Sequence, residues 1–506
     1  MGPPPGEENQ QLHLPTPWGG RLFPIYGEVP AAGGGWGRRR VRRVDSWEVG
    51  SSPFMGKYPP EAGDGAAAGW GESSLLSAIP ASLSATDMIP RVETPLIRYS
   101  RWSLAVTVAA MPLYVFRFKA VLVPTTPLEI LVLLTIALYV AGRWQSRSWR
   151  PMRTWLEIPT ALLLIAGLIA IVVSPDHVGA IGFYRAYFIE PIVLFYVAVD
   201  LLRKPNDFRT VLLGFAIGAT AFAIMNLGAW VIALANHKDI DLGNAPEALY
   251  TSPNSVAIFL EPAVAIAAGF ALYSEDRRDR IASLICLPFL LASMIATLSR
   301  AGLLTLAVLG LVAVITMRRR RLKLALLGTG VVAGIAVLQV PFVSKRLYRQ
   351  FDPSYPYNTF EGRLQIWSDT LHMLRDHPIF GAGLRAYAIV MKPYVTTPKH
   401  IAELYPHNIF LAMWVELGLL GLAAFVVLLG TLLWRGWSAF ATAAGLARPL
   451  LWGTSASFVA IAVHGMFDTP YFNNDLSVEF WILAALEVAA IMFLVKPATG
   501  KPALER

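Results

Sequence analysis

Residues 408–434 read NIFLAMWVELGLLGLAAFVVLLGTLLW. One ionisable side chain, Glu416, interrupts a run longer than the ~20 apolar residues that carry a helix across a hydrocarbon core. In lipid a backbone must satisfy its own hydrogen bonds, so such a run predicts a helix. Eleven further apolar segments fall at roughly 103–118, 126–142, 156–174, 186–202, 210–235, 255–273, 281–298, 301–317, 324–343, 450–467 and 476–495. The pattern predicts an all-α integral membrane protein of about twelve transmembrane helices.

Composition agrees. The chain is 55% hydrophobic and 15% charged, with a mean hydropathy of +0.50. Soluble domains hold about 45–50% apolar residues and about a quarter charged. The net charge of +9 does not point to nucleic acid, because the cations sit in short clusters between apolar runs. There they anchor helices at an anionic leaflet. Cys286, the single cysteine, lies inside an apolar run and reads as a packing residue. It excludes disulfides within the chain and thiolate metal sites.

Charge also predicts orientation. With the N-terminus inside, Arg143/Arg147/Arg150/Arg153, Arg203/Lys204/Arg209, Arg277/Arg278/Arg280, Arg318–Arg321 and Arg435/Arg448 all fall on the cytoplasmic side. An even helix count then leaves both termini in the cytoplasm. The same count places residues 344–407 outside, as a loop between the ninth and tenth helices. Within it Leu364, Trp367, Leu371 and Leu374 recur at helical spacing, which predicts an amphipathic helix on the membrane surface or over a cavity mouth. Pro378 ends that helix and Gly381-Ala382-Gly383 turns the chain.

Residues 1–95 differ from the polytopic domain at 96–506. They are rich in Gly, Pro and Ser, carry the run Arg38-Arg39-Arg40-Val41-Arg42-Arg43 and have no long apolar stretch. This composition predicts disorder, and no apolar region follows the arginines to make a signal peptide. Two readings stand: translation beginning near Met88, or a basic tail that touches lipid headgroups.

No Walker loop, His-Glu-x-x-His or Gly-x-Ser-x-Gly motif is present. The scattered histidines, among them His372, His377 and His400, give no metal-ligand spacing, and no metal or cofactor is expected. What remains is a set of outward cations. Arg300 follows Ser299 at a tight turn, where an arginine is costly unless it is paired or lines a watery cavity. Arg185 stands close to Glu190, Arg363 opens the loop helix, and His407 precedes Asn408 where the tenth helix begins. Helix starts favour anions and arginine donates bidentate hydrogen bonds, so these groups suit phosphate, with an imidazole beside them. Plainer readings compete. Arg185 snorkels or pairs with Glu190, Arg300 is an interfacial anchor, Arg363 is a solvated helix start, and His407 is a cap. Lys345, Arg346 and Arg349 read as headgroup anchors.

Gly362-Arg363-Leu364-Gln365-Ile366-Trp367, Asp376-His377-Pro378-Ile379-Phe380-Gly381-Ala382-Gly383, His407-Asn408-Ile409-Phe410-Leu411 and Glu416-Leu417-Gly418-Leu419-Leu420-Gly421 resemble, in order and spacing, the O-antigen ligase and polymerase superfamily. Ser299-Arg300-Ala301-Gly302 is similar to its upstream Ser-Arg-x-Gly element, and the match covers about 280–430. The resemblance implies a GT-C-like inner-membrane glycosyltransferase. Its donor would be a glycan on undecaprenyl pyrophosphate, and its acceptor a glycan, lipid or protein. It implies His407 as general base, with Arg300, Arg363 and Arg185 on the pyrophosphate and Asn408 and Glu416 in support. A flippase or transporter of lipid-linked sugar competes through the intramembrane Glu261 and Glu487, each without a partner in its own helix. A structural scaffold is the third reading.

Overall fold

A computed structural model describes residues 93–120, 123–149, 152–238, 245–339, 359–396 and 405–495. Residues 1–92 of the N-terminal stretch, Lys345, Arg346, Arg349 and His400 lie outside them, while its last residues, Thr94 and Pro95, begin the first helix. Each of the twelve apolar segments overlaps a helix among the described residues. These are α1 (Pro95–Ala109), α2 (Pro127–Gln145), α3 (Glu157–Val173), α4 (His177–Tyr184) running on into α5 (Glu190–Leu201), α6 (Pro205–Ala235), α7 (Pro253–Tyr273), α8 (Arg277–Ala296), α9 (Arg300–Thr316) and α10 (Arg320–Gln339). After the loop helix α11 (Thr359–Asp376) come α12 (Ile409–Thr442), α13 (Ala447–Gly465) and α14 (Asn474–Phe493). A two-stranded antiparallel hairpin, β1 (Phe118–Ala120) with β2 (Val123–Thr125), precedes α2. Among the described residues, seven helices are long and apolar enough to cross a membrane: α2, α4 with α5, α6, α7, α8, α12 and α14.

Local chemistry sets the helix starts. Thr94 and Thr126 accept the N–H groups of Ile97 and Glu129, each just before a proline that opens the first turn. The first apolar segment, expected at 103–118, instead begins at Pro95 and ends at Ala109. Pro112 cannot donate to a continuing ladder, and residues Met111–Val115 turn as a 3₁₀ helix. Between α4 and α5 the residues Arg185–Ile189 form a π-helical turn.

The buried core gathers around α7, α13 and α14, with Trp452, Phe458, Phe480 and Trp481 fully enclosed. Leu213, Ile217 and Ile224 on α6, and Leu284 and Ile285 on α8, stay exposed, as lipid-facing side chains do. Lipid is as apolar as leucine, so helices approach through small residues. Gly214 and Gly218 of α6 seat directly on the backbone of Ala105 and Ala109 in α1.

The loop helix differs from expectation in its face. Its buried side is Ile366, Asp369, Thr370, Met373 and Leu374, while Leu364 and Leu371 are exposed. Asp369 is satisfied there by Gln365 and Thr396, and Thr370 bonds the Tyr387 hydroxyl, so polar residues occupy a buried face.

The chain after α11 plugs into a break in α12. Gly418 is non-helical (φ 69°, ψ −175°), and around it the helix turns its backbone groups to the loop. Ala382 donates to the Val415 carbonyl at 2.7 Å and Leu419 donates to Ile379 at 2.9 Å. Gly381, at φ +67°, lies against the same Val415 carbonyl, where a Cβ would overlap it. Glu416 is buried and accepts the Arg385 backbone N–H, and the Arg385 guanidinium holds Asp176 at 2.6 Å. Ser174 at the end of α3 donates to the Leu384 carbonyl at 2.8 Å. The two motifs Gly-Ala-Gly and Glu-Leu-Gly therefore lock onto one another.

Candidate active site

Asn408 caps α12 by accepting the N–H groups of Phe410 and Leu411, and its amide donates to the Met466 carbonyl at 3.1 Å. This fixes the end of α13 beside the start of α12. His407 precedes the cap in a left-handed backbone conformation, φ +48°, uncommon away from glycine. Its ring stands edge-on to Tyr405 at 4.9 Å, and the Trp367 indole donates to the neighbouring Pro406 carbonyl at 2.9 Å, tying α11 to the same turn.

Imidazole Nδ1 of His407 lies 3.4 Å from Oδ1 of Asp468, in the turn between α13 and α14. The other carboxylate oxygen accepts the Asn254 amide at 2.9 Å, at the start of α7. Asn254 in turn accepts the Ser299 hydroxyl at 2.7 Å, and Ser299 caps α9 at Gly302. A continuous hydrogen-bonded path therefore runs from His407 to the helix start whose first residue is Arg300. Arg363 belongs to the same neighbourhood, because its charge reaches Asp468. Burial alone would raise the Asp468 carboxyl. The hydrogen bond from His407 and the charges of His407, His464 and Arg363 outweigh it and hold the group below the usual carboxylate range.

This depression has a sign. Asp468 is ionised in the fold where a free aspartate has begun to protonate, so its contribution is full above about pH 4 and declines below that. Thermal unfolding should show Asp468→Asn less stable by about 1.5–3 kcal/mol at neutral pH. That gap should narrow as pH drops below about 4, and a gap independent of pH would show that the charge is not what counts.

The other residues fall as follows. Arg185 pairs with Glu190 at 3.1 Å, one of the two plain readings of it, and also with Glu129 from the start of α2. Its π-helical turn meets the segment after Asp468, where the Tyr471 hydroxyl donates to the Tyr187 carbonyl at 3.0 Å. Glu416 stands at the loop interlock. His372 and His377 are exposed on α11 and just after it. Glu261 and Glu487, expected to lack partners in their own helices, find them on α13: Glu261 bonds His464 at 2.6 Å, and Glu487 accepts Thr454 and Ser455. Asp468, Asn254 and His464 escaped the sequence reading. The one signal for Asp468 was a carboxylate in a short turn, Phe467-Asp468-Thr469-Pro470, on the predicted outer side.

Arg143, Arg203 and Arg209 gather with Asp200, Asp276 and Asp279 at helix ends far along the chain from this cluster. Those ends are the C-termini of α2 and α5 and the N-termini of α6 and α8, helices other than those whose ends meet at Asp468.

No curated protein matches the chain. A family model described as O-Antigen ligase matches residues 284–426, a stretch that contains Arg300, Arg363, His407, Asn408 and Glu416 and ends before Asp468. Over those residues the chain carries an O-antigen ligase domain, the superfamily that its motifs resemble.

Proposed function

We infer that the chain is a membrane glycosyltransferase that moves a glycan from undecaprenyl pyrophosphate to an acceptor hydroxyl at the outer face of the bacterial inner membrane. The acceptor oxygen attacks the anomeric carbon, the bond from that carbon to the pyrophosphate oxygen breaks, and the acceptor proton passes to His407. Pyrophosphate already leaves readily, and Arg300 and Arg363 stabilise the charge that grows on it. Asp468 holds Nδ1 of His407 and so presents Nε2 as the base. The 3.4 Å contact is long for a hydrogen bond, and such contacts commonly tighten only once substrate is bound. Arg185 is a further cation for the pyrophosphate, although Glu129 and Glu190 already balance its charge.

One observation carries this reading: inside and beside a ligase domain, one hydrogen-bonded path joins a histidine–carboxylate pair to the helix start that bears Arg300. The placement of the basic clusters between apolar runs in the sequence supports an outward site with cytoplasmic termini.

Purified protein should transfer glycan from charged undecaprenyl pyrophosphate when offered lipid A–core or, separately, excess lipid-linked repeat. The acceptor consumed distinguishes ligase from polymerase. Arg300→Ala should cost about 10²–10³-fold in rate, the usual loss when one charge-stabilising donor is removed. Folded protein that transfers to neither acceptor would overturn the assignment for both.

A further inference from the structure

Below the site, α7 and α13 are joined a second time. Nδ1 of His464 and Oε1 of Glu261 are 2.6 Å apart with both residues fully enclosed, and Nε2 of His464 has no hydrogen-bond partner among the described residues. Asn254 and Glu261 lie two turns apart on one face of α7, and His464 and Asp468 one turn apart at the end of α13. Asn254 grips Asp468, Glu261 grips His464, and the His464 carbonyl accepts the backbone N–H groups of Phe467 and Asp468. Gly465 rests on Ile409, the first residue of α12. The turn that carries Asp468 is therefore rooted on His464, and His464 is rooted on α7.

An ionisable pair costs too much in a membrane interior to be there for packing alone. We propose that Glu261 and His464 are positioning residues: they hold the turn that bears Asp468, and through Asp468 they set the orientation and proton affinity of His407. The proposal rests on His407 as the base of the transfer reaction. The groups that face the pair are Thr305 on α9, Glu479 on α14, Arg363 on α11, and Asp468 itself; Glu479 in turn faces Asp475.

The test is made on full-length protein in lipid nanodiscs. Diethyl pyrocarbonate modifies only neutral imidazole, so the pH dependence of His407 labelling, followed by peptide mass spectrometry, reports its proton affinity without any transfer assay. Glu261→Gln should move the labelling midpoint down by roughly half to one pH unit, because a loosened Asp468 no longer favours the protonated ring. The transfer rate should fall about tenfold with the donor KM unchanged, as for a loss felt only in the transition state. In an Asp468→Asn background, Glu261→Gln should add nothing, since its effect runs through Asp468. His464→Gln should reproduce the behaviour and serves where Glu261→Gln does not fold.

An unmoved midpoint, or a second full loss in the Asp468→Asn background, would overturn the proposal. A moved midpoint in a protein without transfer activity would sink the functional reading and leave the clamp standing. Active wild type with unmoved midpoints would sink the clamp alone.

Discussion

His407→Ala loses about 10²–10⁴-fold in single-turnover transfer, the span that a positioned general base supplies, and still binds the lipid-linked donor. The expectation follows from where the ring is held. Its Nδ1 is spoken for by Asp468, and a neutral imidazole with one nitrogen committed as donor has the other available as acceptor. Backbone strain complicates the alanine variant, because residue 407 sits at φ +48°. His407→Asn is the cleaner test, since asparagine tolerates that conformation while lacking a base. Both variants should show the same loss. Asn408→Ala makes the contrast: it removes a helix cap, costing about 1 kcal/mol of stability, and leaves the proton acceptor in place. Rates within tenfold of wild type in His407→Asn would mean that the acceptor proton goes elsewhere.

Gly418→Ala destabilises the protein by about 3 kcal/mol or more, read as a lowered midpoint of thermal unfolding in detergent. At φ 69° and ψ −175° the residue occupies a region that is essentially restricted to glycine. A Cβ there would overlap the carbonyl of Ile379 and crowd the backbone of Phe380, neither of which is a flexible side chain that can swing away. Relief requires undocking the 379–385 segment, which breaks the bonds from Ala382 to Val415 and from Leu419 to Ile379. Because α11 and the turn at Pro406 are joined through Trp367, transfer should fall with stability. Gly430→Ala, on the same helix with open space around it, is the control and should be neutral or slightly stabilising. Equal unfolding midpoints for the two variants would show that the break in α12 is dispensable.

The helices were legible because the constraint that makes them is local: an apolar run in lipid has no alternative to a helix. Which face of a helix meets protein was not. Leu364 and Leu371 are as apolar as Ile366 and Met373, yet the first two are exposed and the second two buried. The buried face of α11 also takes Asp369 and Thr370, which find partners in Gln365, Thr396 and Tyr387, so apolar spacing alone does not point to it. The site divides the same way. Arg300 and His407 stand at helix starts that sequence marks with Ser299 and Asn408, whereas Arg363, expected to open the loop helix, lies a turn inside α11, which already runs from Thr359. Asp468 is 61 residues from His407, and His464 is 203 from Glu261. Such pairs exist only once helices have packed, and neither Asp468 nor His464 carries a local signature as His407 does. Glu261 looked like an isolated membrane carboxylate because its partner belongs to another helix.

The interlock between 379–385 and the break in α12 bears on how such proteins could be recombined. The two segments supply each other's missing hydrogen-bond partners, so they behave as a single cassette although about thirty residues separate them. A chimaera that imports a foreign loop would leave the Val415 carbonyl and the Leu419 N–H facing strangers. Grafts that carry residues 359–396 together with 414–419 keep both halves of the joint. The crossover point for exchanging this loop thus belongs inside α12, beyond Leu419, and not at the loop's visible edge.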